Sequence, residues 1–226
     1  MIRSEKRISV NNGGTMMNQK IVIAINREYG SGGRTIGEML ARELNIGYYD
    51  KDIYKMASEL SGINEELFVK ASMDFRGTPL FKAPDPYTGA LIGPESSEFT
   101  SKKNLFAYQA KTIRELAEKE PCVIVGKAAG FVLKNEPNLV RVFVHAPYWF
   151  LRQEAARRNS LTEKELDKYI EKENKRRADY NYYYTGEKWN DAHNYDLCVD
   201  ASKLGFEKCV KIIEGYMKVR FDGLQF

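Results

Sequence analysis

Gly30, Ser31, Gly32, Gly33, Arg34 and Thr35 run consecutively and combine the properties needed to hold a phosphate chain. Such a chain binds when several backbone N–H groups point inward together, which calls for residues that tolerate positive φ and carry no side chain in the way. A helix starting at the same place adds the positive end of its dipole. Arg34 supplies a cation, and the hydroxyls of Thr35 and Ser31 are hard oxygen donors suited to Mg2+. The glycines alone also admit a packing explanation, because many strand-to-helix turns use glycine for close approach. Three further places carry charge where chemistry needs it: Asp50 after Tyr48 and Tyr49, Lys127 after a run of apolar residues, and Arg176 with Arg177 at the end of a charged stretch. A positioned cation stabilises charge shared over the oxygens of a transferring phosphoryl group. Each has a plainer reading beside this one. Asp50 can cap a helix beginning near Asp52, Lys127 can be a solvated loop lysine, and the arginine pair can be a solvated helix face.

The flanking residues say what positions these groups. Ile21 to Ile25 is a continuous apolar run of strand length, and Ile36, Met39, Leu40 and Leu44 follow the glycines at helical spacing. Asn45 and Gly47 end that helix, and Tyr48 and Tyr49 fit a short strand before Ile53, Met56, Ala57 and Leu60 resume the helical spacing. Cys122 to Val125 and Val140 to Val144 predict two more strands, each followed by a helical pattern, the second opened by Pro147. Tyr195 to Val199 predicts a fifth strand, and Phe206, Val210, Ile213 and Met217 a closing helix. Apolar, non-alternating strands separated by helices imply an α/β fold with a parallel sheet of about five strands covered on both faces.

Two segments break this rhythm. Between Met73 and Asn104 lie Pro79, Pro84, Pro86 and Pro94, four of the seven prolines, with Gly77, Gly89 and Gly93. A connection of that length is usually functional or mobile. From Leu161 to Trp189, a possible capping box at Thr162 and Glu165 opens a charged helix that ends in Lys175, Arg176, Arg177 and a tyrosine cluster, which suggests a lid.

The P-loop pattern G-x-x-x-x-G-K-[ST] is not met in either possible register. One register puts Arg27 on the first glycine and Gly33 on the lysine; sliding by one residue puts Glu28 on the first glycine, Arg34 on the lysine and Thr35 on the metal-binding hydroxyl. Arg34 is the substitute cation in both, but as a planar fork rather than a point charge. The stretch from Ile25 to Arg34, then Tyr48, Tyr49 and Asp50, Val123 to Lys127, and Tyr183, Tyr184, Thr185 and Gly186 with Trp189, Asn194, Tyr195 and Asp196, resembles the cytidylate kinase-like family of bacterial proteins. The likeness runs from about Gln19 to Tyr216. It implies a P-loop three-layer core with an acceptor-binding insert at about 50–120, a lid at about 160–190, ATP and Mg2+ as cofactors, and transfer of a γ-phosphate to a nucleoside monophosphate.

Residue by residue the likeness is partial. The Tyr-Arg pair that helps hold the monophosphate in that family is matched by Tyr54 and Lys55, and the Gly-Arg-Asp motif by Gly126, Lys127 and Ala128. The carboxylate that would accept from a cytosine amine is therefore absent. The lid arginines and aspartate are matched by Arg176, Arg177 and Asp179.

Composition bounds the remainder. At 43% hydrophobic and 29% charged, the chain is globular, with apolar runs too short to cross a bilayer. A net charge of +4 is too mild to require nucleic acid but would favour small anions if concentrated in one cleft. Cys122, Cys198 and Cys209 form no CxxC, sit among apolar residues and suit a reducing, cytoplasmic compartment as core residues. Residues 1–17 lack the apolar core of a secretory signal and are expected to be disordered or an artefact of start-site choice; residues 18–226 are expected to form one domain. Arg152, Arg157 and Arg158 fit a solvated helix face, with Arg157 or Arg158 covering the adenine or a phosphate as the alternative, and the cluster of Tyr180, Tyr182, Tyr183, Tyr184 and Trp189 fits packing rather than base stacking. His145 and His193 have no partners suggesting zinc. The leading expectation is an ATP-dependent phosphotransferase acting on a nucleotide or other small phosphate-bearing acceptor, with neither nucleic acid nor membrane as partner. The alternatives are a nucleotide-binding sensor that has lost transfer, favoured by Gly33 and Ala128, and a kinase of a small-molecule hydroxyl.

Overall fold

Each apolar run forms the strand its composition predicts. In the computed structural model, which describes residues 20–73, 75 and 89–221, β1 (Val22–Arg27), β2 (Gly47–Tyr49), β3 (Cys122–Val125), β4 (Leu139–His145) and β5 (Leu197–Asp200) make one sheet. Its order is β2-β3-β1-β4-β5, and all pairs are parallel. β1 is central, with Val22 level with both Cys122 and Leu139. Neighbours on both sides and helices on both faces account for its unbroken apolar sequence.

Alternate residues of the strands serve opposite layers. Ile23, Ile25, Val123, Val125, Val142 and Val144 pack with Ile36 and Leu40 of α1 (Gly33–Leu44) and with Val210, Ile213 and Met217 of α8 (Ala201–Arg220). Val22, Ala24, Cys122 and Ile124 pack on the other side with Phe106, Ala110 and Ile113 of α4 (Lys102–Lys119), with Val132 of α5 (Ala129–Val132) and with Tyr184 of α7 (Glu163–Thr185). Between β2 and β3, α2 (Asp52–Ser61), α3 (Glu65–Ala71) and α4 share a third cluster around Tyr54, Ala57, Phe68 and Leu105. α6 (Tyr148–Ala156) opens after Pro147, as expected.

Thr162 and Glu165 form the capping box that starts α7. The tyrosines of α7 pack: Tyr184 stacks on Phe106 with ring centroids 4.2 Å apart, and Tyr180, Tyr183 and Tyr184 all contact Phe75. Buried Asn104 orders the approach to α4 by bonding Ile92 N, Ile92 O and Phe99 O. Two expectations need correction. The helix after β3 is a single turn of four residues, since consecutive left-handed residues delay its start to Ala129 and a run of turns around Pro137 ends it before β4. Cys198 is exposed rather than in the core, because it lies on edge strand β5, whereas Cys122 and Cys209 are buried. Burial raises the Cys122 thiol to about 12 and the Cys209 thiol to about 11, so both remain protonated core residues. The expected leader at 1–17, and Gly77, Pro79, Pro84 and Pro86 of the proline-rich segment, lie outside the described residues. Among the described residues no helix is long and apolar enough to cross a membrane.

Candidate functional site

The strand order sets the carboxyl ends of β2, β3 and β1 side by side, and open α/β sheets bind ligands in the crevice at those ends. Asp50, Lys127 and Arg27 emerge there, and α7 crosses above, tied down by Arg177 Nη1 donating to Arg27 O at 2.8 Å and by Tyr29 N donating to Asn174 Oδ1 at 2.7 Å. They enclose a cleft of about 480 Å³, within the roughly 300–1,000 Å³ of small-molecule sites. Seven of its lining side chains are cations and three are carboxylates. This is where the chain's mild positive charge is concentrated.

Asp50 sits among the cations. Its side chain is 7% exposed, 2.6 Å from Arg34 Nη2 and 3.5 Å from Lys127 Nζ. Burial alone would push its carboxyl up, but Lys127, Arg27 and Arg34 together hold it below the usual value. The capping alternative for Asp50 is overturned: the N-cap of α2 is Lys51 and has no side-chain cap bond.

Lys127 reaches Asp50 through unusual backbone. Gly126, Lys127 and Ala128 have φ of 75°, 58° and 54°, and two adjacent non-glycine residues in this region cost about 1–2 kcal/mol each. Buried Gln109 of α4 holds the turn, because its Nε2 donates to Lys127 O at 3.1 Å and to Tyr180 OH of α7 at 2.7 Å. The Lys127 ammonium lies 4.2 Å from the Tyr54 ring centroid. Lys55 is not brought to the site. Successive helix residues point about 100° apart, so Tyr54 faces the cleft while Lys55 is 69% exposed and pairs with Glu59.

Arg176 and Arg177 do line the cleft. Arg176 pairs with Glu173 at 2.8 Å and donates to Ser72 O at 3.3 Å. Arg177 is half-buried, its Nε is buried without a partner, and its guanidinium lies over the Tyr29 ring. Burial, then Arg27 and Arg176, push its pKa well below the ordinary value. Arg27, Lys51 and Glu173 also line the cleft, and no motif marks them as site residues; for Arg27, its place at the end of the first strand is the usable signal.

The glycine loop has two explanations at once. A Cβ on Gly30 would lie 2.3 Å from Leu151 O, and one on Gly32 2.2 Å from the Phe206 ring, so packing requires both. The loop nevertheless delivers the N-terminus of α1 to the cleft with no side-chain cap and no acidic residue in the first turn. Those free N–H groups and the surrounding cations suit a phosphate chain. Ser31 is fully buried and donates its hydroxyl to Glu28 O at 2.9 Å, which removes it as a metal donor. Thr35 Oγ1 accepts from Arg158 Nη2 at 3.2 Å and remains the hydroxyl that suits Mg2+. Protein ligands for that ion are usually few, since phosphates and water complete its shell. Among the described residues no group of three or more His, Cys, Asp or Glu gathers at metal distance.

Other motif residues hold the fold. Trp189 Nε1 donates to Asn26 Oδ1 at 3.2 Å, Asn26 Nδ2 donates to Tyr195 OH at 3.1 Å, and Asp196 pairs with Arg141 at 3.0 Å. Arg152 pairs with Glu163 and Asp167, as expected of a solvated face, and exposed Arg157 pairs with buried Glu154. Arg158 departs from that expectation, because its place just past the end of α6 brings it to the cleft beside Thr35.

A five-stranded parallel sheet with a glycine loop, an uncapped helix N-terminus and a cationic cleft at its carboxyl edge defines a P-loop kinase-type α/β protein. Residues 22–203 match the cytidylate kinase-like family, and the chain belongs to it. Among solved structures, a protein of Eubacterium ventriosum is similar at 25% identity and a TM-score of 0.65, over 88% of this chain and 98% of that one. A shikimate kinase of Bacteroides thetaiotaomicron shares the fold at 16% identity and a TM-score of 0.50, again over 88% and 98%. A comparison with curated proteins found no match.

Proposed function

We propose that the chain is an ATP-dependent phosphotransferase that moves the γ-phosphate of ATP to a small phosphate-bearing acceptor in the cytoplasm. The observation that carries this reading is the cleft itself, with seven cations converging on the uncapped start of α1 at the carboxyl edge of a parallel sheet. In such chemistry the protein supplies positioning and charge neutralisation, and an acceptor that is already a phosphate needs no general base. The backbone of Gly30 to Thr35, with Arg34, is assigned to the donor phosphates. Lys127 and Asp50 are assigned to the acceptor side, and Arg176 and Arg177 to the transferring group. Lys55 is left out on geometry. Thr35 would hold Mg2+, which when bound neutralises charge on the phosphate oxygens. The segment at about 50–120, which holds α2, α3 and α4, is read as the acceptor-binding insert, and that at about 160–190, which holds α7, as the lid.

The test incubates purified protein with ATP, Mg2+ and a pool of nucleoside monophosphates and reads products by mass spectrometry. A diphosphate product is expected and names the acceptor. A second reading, a nucleotide sensor without transfer, is favoured by one observation: the loop cation Arg34 is held on Asp50 at 2.6 Å. Nucleotide-dependent thermal stabilisation with no product from this pool, or from one of small-molecule alcohols, would decide for the sensor.

A further inference from the structure

In the register that puts Gly33 on the P-loop lysine, Arg27 takes the place of the first glycine. The structure gives both departures one physical cause. A Cβ on Gly33 would lie 2.5 Å from Arg27 Cβ and 2.9 Å from its Cγ, so position 33 cannot carry a side chain while position 27 carries this one. At the other end, a Cβ on Gly126 would lie 2.6 Å from Arg27 Nη1. The bare backbone at the start of α1 is thus what position 27 requires, while Gly126 after β3, a glycine already called for by its φ of 75°, leaves the space into which the guanidinium extends.

The guanidinium they admit lines the cleft, yet it makes no hydrogen bond or ion pair among the described residues. Burial lowers the Arg27 pKa, Asp50 opposes the shift from a distance, and Arg34 and Arg176 add repulsion. The Arg27 side chain is half-buried, and a charge partly withdrawn from water with no ion pair to offset that loss is what a site prepared for an anion accepts. We infer that Arg27 is the cation that grips the phosphoryl group, standing in for the lysine absent at Gly33, with Gly33 and Gly126 as the space made for it. This rests on the phosphotransfer reading for the identity of the moved group, though not for anion binding. Arginine offers two parallel N–H donors to two phosphate oxygens, which a lysine cannot do.

The probe is inorganic pyrophosphate, with binding followed by calorimetry and stability by thermal melting of the full chain. Arg27→Met is expected to weaken pyrophosphate binding about 100-fold, the size of two charge-assisted hydrogen bonds. Without the anion the same variant is expected to melt no lower than wild type, because a half-buried charge with no ion pair has been replaced by an apolar side chain of similar length. Arg34→Ala is expected to lose less affinity, since Arg34 is already paired and 45% exposed. Exchanging the places, Arg27→Gly with Gly33→Lys, is expected to recover binding that neither single change supports. Unchanged pyrophosphate affinity in Arg27→Met, a melting temperature below wild type, or no recovery in the double variant would each overturn the assignment, as would a wild-type chain that does not bind pyrophosphate. Tight binding by wild type and loss in Arg27→Met, with no transfer product from either, would keep Arg27 as the anion's cation and remove the phosphotransfer reading instead.

Discussion

Asp50→Asn isolates the electrostatics of the cleft, because it removes one negative charge and almost no volume. Asp50 is buried between Lys127, whose side chain is 10% exposed, and Arg34, whose side chain is 45% exposed. Removing one partner of a buried ion pair costs about 3–5 kcal/mol. Water screens the Arg34 share and the asparagine still accepts a hydrogen bond, which leaves roughly 2 kcal/mol. For a domain of this size each kcal/mol moves the melting temperature by about 2–4 °C, so the variant should melt roughly 4–8 °C lower at pH 7. The sign with pH follows from the direction of the shift. The Asp50 carboxyl is held below its ordinary value in the fold, so its stabilisation is complete above the unfolded pKa of about 3.9 and is lost as pH falls through the lower folded value. Urea or thermal denaturation from pH 7 to pH 2.5 should therefore show a gap between wild type and variant that closes in acid. Equal stability at pH 7, or a gap that does not narrow as pH falls below about 3.9, would refute the account of Asp50 as the carboxylate that holds these cations together.

Three further outcomes follow from the same geometry. Gln109→Met should raise the KM for the acceptor about tenfold while leaving that for ATP near wild type, because it removes the hydrogen bond holding the Lys127 turn; steady-state kinetics in both substrates read the split. Glu28 has its carboxyl raised by burial, so the folded state favours its protonated form and stability falls as pH rises past the ordinary carboxylate range. Glu28→Gln should accordingly melt at or above wild type at pH 7 and match it near pH 3.5, and a lower melting temperature at pH 7 would contradict this. Gly33→Ala should lower the melting temperature by several degrees through contact with Arg27, and more than an alanine at Gly62, where nothing lies within 4 Å of the added Cβ; that position carries only the strain of its φ of 75°.

The strands and most helices were legible because they are local patterns. The apolar runs of β1, β3 and β4 are long enough to name themselves, and Thr162 with Glu165 marked the start of α7 through contacts three residues apart. The glycine loop, Lys127, Arg176 and Arg177 were found by type and position and do meet in one cleft. Lys55 was misplaced because helical phase decides which of two neighbours faces a site, and the packing of α2 set that phase with Tyr54 inward.

Sequence by itself determined the α/β alternation, the parallel sheet and the glycine-rich, cationic first turn, since hydrophobic period, glycine content and charge are properties of neighbours in the chain. Tertiary structure alone decided the roles of Arg27, Asp50 and Gln109. The partners of Arg27 are gaps at Gly33 and Gly126, those of Asp50 are Arg34 and Lys127, and those of Gln109 are a backbone carbonyl after β3 and a hydroxyl on α7. Most of these contacts join residues far apart in sequence and depend on burial, which no local pattern records. Arg27 reads as a broken motif in the sequence, and only the fold sets its side chain against Gly33 and among the cations that line the cleft.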